Sequence, residues 1–235
     1  ESSYCHVFSS QVWFGCTKYW MKPKIALFIY DPKCSVQCAN GMINALSDYY
    51  DFRLFSKNEM EGGFFDEFDI VAFPGGIGDS DSFDSLLTRN KKAVYKFLER
   101  GGKYLGICMG AYWAGKHYFN ILDEVDSVQY ITRPGTDTRR PHAKNMPVIW
   151  EDKPEKMFFY DGCALVGNNS KFETIATYSN GDPMAIIQNN IGLIGCHPES
   201  EQFWYEHYSY LRGHYHNGKH HNLLLEFVNK LMEER

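Results

Sequence analysis

Cys108 stands between two glycines in the run Gly106-Ile107-Cys108-Met109-Gly110, after a short apolar stretch, Lys103–Ile107, and before Ala111-Tyr112-Trp113. An apolar run of that length bounded by glycines reads as a buried parallel strand, and the chain from Met109 onward reads as a helix. Small residues two places either side of the cysteine let the backbone turn sharply and let strand and helix approach closely. The pattern is that of a nucleophile elbow, with cysteine in place of serine. One side chain is lifted out of the turn, and the free N–H groups of the helix face the sulfur and favour thiolate. Taken alone, the same residues fit a buried structural cysteine equally well. A second motif far downstream, GLIGCHPESE from Gly192 to Glu201, shifts that balance. A thiol nucleophile needs a base within reach, and the base needs a partner that fixes its tautomer and steadies its charge. His197 and Glu199 supply these roles, with Pro198 stiffening the step between them. The oxyanion formed on attack needs backbone N–H donors. Met109, just after the nucleophile, and Gly76 of Pro74-Gly75-Gly76 form the natural pair, with Gly75 as the neighbouring donor and part of the substrate wall.

These residues must be held by strands and helices. Ile25–Tyr30 reads as a first buried strand. Val36, Ala39, Ile43, Leu46 and Tyr50 recur at helical spacing. Phe52–Phe55 and Asp69–Phe73 are further strands, the latter running into Pro74-Gly75-Gly76. A helix from Asn90 carries Val94, Phe97 and Leu98 on one face and stops at Gly101-Gly102. Strands alternating with helices at this pitch predict a parallel sheet covered on both faces, with ligands beyond the carboxyl ends of the strands. Cys108 and Gly75-Gly76 fall at such ends. Beyond the elbow helix the pattern changes to short runs, Ser127–Ile131, Pro147–Trp150, Lys156–Tyr160, Thr174–Tyr178 and Met184–Gln188. Asn189-Asn190 joins the last to Ile191–Gly195 as a tight hairpin. These predict antiparallel or mixed strands added to the sheet. Helices over Glu201 to about Leu211 and about Asn222 to Met232 close the chain.

The composition bounds the function. With 235 residues, 44% hydrophobic and 23% charged, the chain has the make-up of one soluble globular domain with a real core. A net charge of −5 without a basic cluster argues against nucleic acid as a partner. No apolar run approaches the ~20 residues that span a bilayer, so no membrane partner is expected. The seven cysteines show no CxxC pair and read as reduced thiols in a cytoplasmic setting. Residues 1–20 have neither a charged n-region nor a continuous apolar core, so they are not a signal peptide. They are expected to be an N-terminal extension to a single domain over 21–235, with Met21 as its start.

FPGG at Phe73–Gly76, GGKYLGICMGAY at Gly101–Tyr112 and GCHPES at Gly195–Ser200 together resemble the class I glutamine amidotransferase-like superfamily. That resemblance implies an α/β fold, a flavodoxin-like three-layer sandwich with a mostly parallel central sheet and added antiparallel strands. It also implies a Cys–His–Glu triad, Cys108, His197 and Glu199, for amide chemistry. YLGICMGAYWAG, Pro134-Gly135-Thr136, FFYDG at Phe158–Gly162 and GCHPE are similar to the amidotransferase-like N-terminal domain of biotin–protein ligases, over about Lys24 to about Glu201. Glutaminases of the superfamily usually carry Gln, Glu or His where this chain has Tyr112, which removes a side chain that helps hold glutamine. No ammonia-consuming synthetase domain lies in the chain, and biotin transfer is not expected.

The resulting expectation is a cysteine-dependent hydrolase or amidotransferase acting on a C–N amide bond of a small molecule or peptide end. The alternatives are a binding or regulatory module on the same fold and a peptidase of the superfamily. Neither cofactor nor metal is expected, and the sequence does not fix the oligomeric state. HYHNGKHH, His214–His221, reads as a polar surface linker, and IGDSDSFD, Ile77–Asp84, as a solvated loop and helix cap. Arg133, Arg139 and Arg140 are as compatible with anion recognition as with plain exposure. Tyr30-Asp31 should face the cleft at the end of the first strand, with no role assigned.

Overall fold

The computed structural model describes residues 11–12, 19–30, 35–60, 63–76 and 80–234. The expectations placed on Asp31, Ile77 to Asp79 and most of residues 1–20 lie outside the described residues. Two short strands, β1 (Gln11–Val12) and β2 (Tyr19–Trp20), pair antiparallel. The main body comprises, in chain order, β3 (Lys24–Phe28), α1 (Val36–Leu46), β4 (Asp51–Phe55), β5 (Ile70–Phe73), α2 (Ser80–Leu86), α3 (Lys91–Glu99), β6 (Lys103–Ile107) and α4 (Met109–Trp113). Then come β7 (Val125–Gln129), β8 (Lys144–Trp150), β9 (Lys153–Phe159), β10 (Cys163–Gly167), β11 (Glu173–Tyr178), β12 (Pro183–Gln188), β13 (Ile191–Ile194), α5 (Gln202–Glu206) and α6 (Lys219–Glu233).

Nine strands form one sheet in the order β4-β3-β5-β6-β13-β12-β11-β8-β9. Pairing from β4 through β13 is parallel, and from β13 onward antiparallel. The period-2 alternation of the central strands divides the core in two. Ile25, Leu27, Ile70, Ala72, Leu105 and Ile107 point to one face, packed by Ala39, Met42 and Leu46 of α1 and by Leu224, Phe227, Val228 and Leu231 of α6. Ala26, Phe28, Val71, Phe73 and Tyr104 point to the other, against Phe83 of α2, Val94 and Phe97 of α3 and Trp113 of α4. Both faces are therefore covered, which is why these strands read as near-continuous apolar runs. The arrangement is the three-layer α/β sandwich the sequence predicts.

Several local expectations change. β3 stops at Phe28 rather than Tyr30. The Ser127–Ile131 run is β7, Val125–Gln129, followed by a 3-10 turn at Tyr130–Thr132. β7 does not join the main sheet but pairs with β10, a strand that no local pattern announces, in a separate two-stranded sheet. The helix expected over 201 to about 211 is only α5, Gln202–Glu206, after which the Leu211 N–H closes a turn on the Tyr208 carbonyl at 2.9 Å. That break lets Trp204, Tyr205 and Leu211 reach a small third cluster with Cys38 and Phe158. The Asn189-Asn190 hairpin forms, with Asn189 at φ 52° and Gln188 opposite Ile191.

Candidate active site

β6 ends at Ile107, and Cys108 turns the chain with φ 50° and ψ −103°. A side chain at positive φ outside the usual regions stores about 1–3 kcal/mol of strain, so the surroundings must over-determine it. They do so through backbone and glycine. The Cys108 N–H donates to the Ile194 carbonyl at 2.8 Å, and its own carbonyl accepts from Ala111 and Tyr112 at 3.0 Å each. A Cβ at Gly106 would overlap the Gly110 carbonyl, and one at Gly110 would overlap the Phe73 carbonyl. The two glycines thus let α4 sit directly against β5 and β6. Tyr104, on the sheet face that α4 covers, locks the arrangement, its hydroxyl donating to the Gly110 carbonyl at 2.7 Å.

β13 is the parallel neighbour of β6, with Ile194 beside Ile107. The chain leaving β13 therefore emerges next to Cys108, which is how two segments remote in sequence meet. The His197 N–H is fixed by the Phe158 carbonyl at 2.8 Å. Its ring Nδ1 donates to Glu199 Oε1 at 2.8 Å, with both residues buried, Glu199 completely. Burial works against a charged imidazole, but the Glu199 carboxylate, together with the neighbouring Cys108 and Cys38, outweighs it, and the His197 pKa is held well above its ordinary value. A ring held this way can take and keep the proton of a neighbouring thiol, which is how histidine makes a cysteine nucleophilic.

Glu199 is seated by α1. A Cβ at Gly41 would overlap the Glu199 carbonyl and come within 3.0 Å of its Cγ, so glycine permits the helix to pack on this loop. One turn earlier on the same helix, Cys38 brings its sulfur beside His197 and Glu199, with ligand atoms of the three within 4.8 Å of one another. Gly75 closes the other side, where a Cβ would come within 2.7 Å of His197 Cε1 and 3.0 Å of Cys38 Sγ. The Gly75 carbonyl accepts from Ser35 N–H at 3.1 Å, tying the Pro-Gly-Gly loop to the N-cap of α1. Cys38 is the one residue here to which sequence reasoning gives no role. Its signal is faint, two small residues three apart, Cys38 and Gly41, on a helix of ordinary amphipathic pattern.

The wall above Cys108 is the FFYDG loop. Cys108 Sγ lies 3.6 Å from the Tyr160 carbonyl. Tyr112 donates its hydroxyl to the Asp161 carbonyl at 2.9 Å, and Gln129 Nε2 donates to both Asp161 carboxylate oxygens at 2.8 and 3.1 Å. The Tyr112 hydroxyl is thus engaged in a tie from α4 to this loop. Met109 is the buried first residue of α4, and Gly76 is half-buried at the end of the Pro-Gly-Gly loop.

The weaker motifs take other places. Arg133 is engaged by a two-pronged ion pair, Nε to Asp182 Oδ2 at 2.7 Å and a terminal nitrogen to Oδ1 at 3.1 Å, while Arg139 and Arg140 are exposed. The expected polar linker at 214–221 is corrected: His220 is buried within α6 and lies 3.2 Å from Glu155 Oε2. Nε2 of His216 and of His221 both donate to the Ser200 carbonyl, at 2.8 and 3.1 Å. The histidines therefore brace the loop that carries Glu199.

Residues 30–129 match the family model described as "Biotin-protein ligase, N terminal". No curated protein matches the sequence. Among solved structures, PurLQS from Thermotoga maritima is 17% identical with a TM-score of 0.61, the alignment covering 90% of this chain and 100% of that one. A glutamine amidotransferase from the same organism is 11% identical with a TM-score of 0.63, covering 91% and 100%. A glutamine amidotransferase from Methylobacillus flagellatus is 10% identical with a TM-score of 0.55, covering 91% and 92%. The chain thus has the fold of glutamine amidotransferases, and residues 30–129, fewer than half of the chain, resemble the biotin–protein ligase N-terminal domain.

Proposed function

We propose that this protein is a cysteine-dependent hydrolase or amidotransferase that cleaves a C–N amide bond in a small molecule or at a peptide end. The observation that carries this reading is the buried 2.8 Å His197–Glu199 pair beside the strained, positive-φ Cys108. In the proposed sequence His197 takes the Cys108 proton, and the thiolate attacks the amide carbon. The N–H groups of Met109 and Gly76 hold the developing oxyanion, with Gly75 lining the pocket; loss of one such donor typically costs ~3 kcal/mol of barrier. His197 then protonates the departing amine, leaving a thioester on Cys108, which water or an acceptor amine cleaves with His197 again as base. Glu199 keeps Nδ1 protonated and steadies the charged ring throughout.

Glutamine itself is disfavoured as the substrate, because Tyr112 replaces the side chain that helps hold it and its hydroxyl is already engaged at Asp161. No helix among the described residues is long and apolar enough to cross a membrane. Free thiols at Cys38, Cys108, Cys163 and Cys196 suit a reducing, cytoplasmic compartment. A second reading, a binding or regulatory module without turnover, is favoured by the Tyr160 carbonyl 3.6 Å from the nucleophile. An electrophilic amide or diazo-ketone probe decides between them. Labelling of Cys108 ahead of the other six cysteines, and lost in His197→Ala, supports the enzyme. Ligand-induced thermal stabilisation that persists in Cys108→Ala, with no amide cleavage by either form, supports the module.

A further inference from the structure

We propose that Cys38, His197 and Glu199 form a binding site for a divalent transition-metal ion, zinc in the first instance, and that metal binding withdraws His197 and Glu199 from Cys108. The inference goes beyond amide cleavage, and its test needs no turnover. One sulfur, one ring nitrogen and one carboxylate oxygen from these residues lie within 4.8 Å of one another. All three residues are buried, and Glu199 Oε2 is a fully buried carboxylate oxygen with no hydrogen-bond partner. The triad explains Oε1 but leaves both Oε2 and the Cys38 thiol without a task.

Thiolate, imidazole and carboxylate are the three donor types that zinc takes together in tetrahedral sites. With zinc bond lengths of about 2.0–2.3 Å, tetrahedral ligand-to-ligand edges are roughly 3.3–3.8 Å. Closing the present spacing to those edges therefore asks for about an ångström of side-chain rotation. The framework tolerates it, because Gly41 and Gly75 put no side chain between the three ligands. Charge also favours the ion: a thiolate and a carboxylate around M²⁺ with a neutral ring leave a buried site of zero net charge. Burial keeps the unmetallated Cys38 thiol protonated, its pKa raised despite His197. Binding therefore displaces that proton to solvent, and a second from a charged ring, as the Cys38 sulfur–metal bond forms.

The experiment uses the reduced full chain, freed of metal with a chelator and titrated with cobalt(II), then competed with zinc(II). The expected result is one equivalent of cobalt with a thiolate-to-cobalt charge-transfer band, removed stoichiometrically by zinc. The band is lost in Cys38→Ala and in Cys38→Ser and kept in Cys108→Ala. Peptide mapping of alkylated protein gives a readout in the wild-type chain alone, with zinc shielding Cys38. Absence of the band, its survival without Cys38, its loss only with Cys108, or zinc that leaves Cys38 alkylation unchanged overturns the proposal. Probe labelling of Cys108 in metal-free protein is read separately. A chain that binds cobalt through Cys38 yet fails that labelling loses the enzymatic reading and keeps the metal site.

Discussion

The two segments that build the site are held by opposite means. The elbow at Gly106–Gly110 is fixed by backbone, through positive φ at Cys108, two glycines pressed against carbonyls, and hydrogen bonds to Ile194 and Tyr104. The loop at Gly195–Ser200 is fixed by side chains, through Glu199 on His197, two imidazoles on the Ser200 carbonyl, and the Ser200 hydroxyl paired with Tyr205 at 3.0 Å. The first is broken chiefly by steric intrusion, the second chiefly by loss of a side-chain partner. Cys108, the proposed nucleophile, thus sits on a rigid frame, while His197, its proposed base, rests on groups that titrate and can be removed one at a time.

The sharpest break of that contrast is Glu199→Gln. The amide preserves shape but lets the wrong imidazole tautomer form, and in a Cys–His–Glu site the rate of Cys108 labelling by an amide probe should fall about 10³-fold or more. Thermal unfolding should show the variant folded. An unchanged labelling rate would make the pair structural.

Next in size is Gly110→Ala. The added methyl meets the Phe73 backbone carbonyl, which has no rotamer by which to yield. A loss of about 3 kcal/mol in urea unfolding is expected, at the upper end for overpacking. Gly101→Ala serves as the comparison: φ is +91° but nothing lies within 4 Å, so only the left-handed backbone penalty of about 1–2 kcal/mol remains. Equal losses at the two positions would show that the elbow is not sterically determined.

These elements differ in how far the sequence announces them. The elbow and the His-Pro-Glu loop are legible because their chemistry is local: glycines two places either side of a cysteine, and a base two residues from its carboxylate. The parallel half is legible because strands buried on both faces leave long apolar runs such as Ile70–Phe73. β10 escapes because CALVG comes directly after the FFYDG turn, and its partner β7 lies far back in the chain. The histidines of 214–221 look like surface because a run of polar residues gives no sign that α6 begins at Lys219 and turns His220 inward. Cys38 escapes for the same reason: its partners belong to a loop that no local pattern connects to α1.

The third effect is on acid stability, through the side-chain bracing of the loop. His216 donates from Nε2 to Ser200 and accepts on Nδ1 from the Gly218 N–H at 3.1 Å and the His220 N–H at 3.3 Å. Only the neutral ring can do both. Burial, with His220 beside it, holds its pKa down at about 4. Around it stand His220 and His221, with Glu155 and Lys219 paired behind them. Because the folded pKa lies below the unfolded value of about 6.5, the unfolded chain takes up the proton first. The bracing is intact above pH ~6.5 and weakens as pH falls toward 4. Thermal unfolding should show wild type losing Tm across that window more steeply than His216→Asn, which starts lower at neutral pH. Parallel slopes would remove His216 from the account.

The smallest change tests where the two kinds of support meet. Tyr112 belongs to the elbow helix, and its hydroxyl holds the FFYDG loop that brings the Tyr160 carbonyl to Cys108. Tyr112→Phe deletes one hydrogen bond to a carbonyl and leaves the ring in place, so the expected loss in urea unfolding is about 1 kcal/mol. If the tie keeps the loop over the nucleophile, the same ~1 kcal/mol is returned as a more frequently opened site. Cys108 should then react with a small alkylating agent about fivefold faster, while buried Cys163 does not change. A stability loss without faster labelling would mean that the loop is not the gate and that a substrate reaches the sulfur by the Gly75 side.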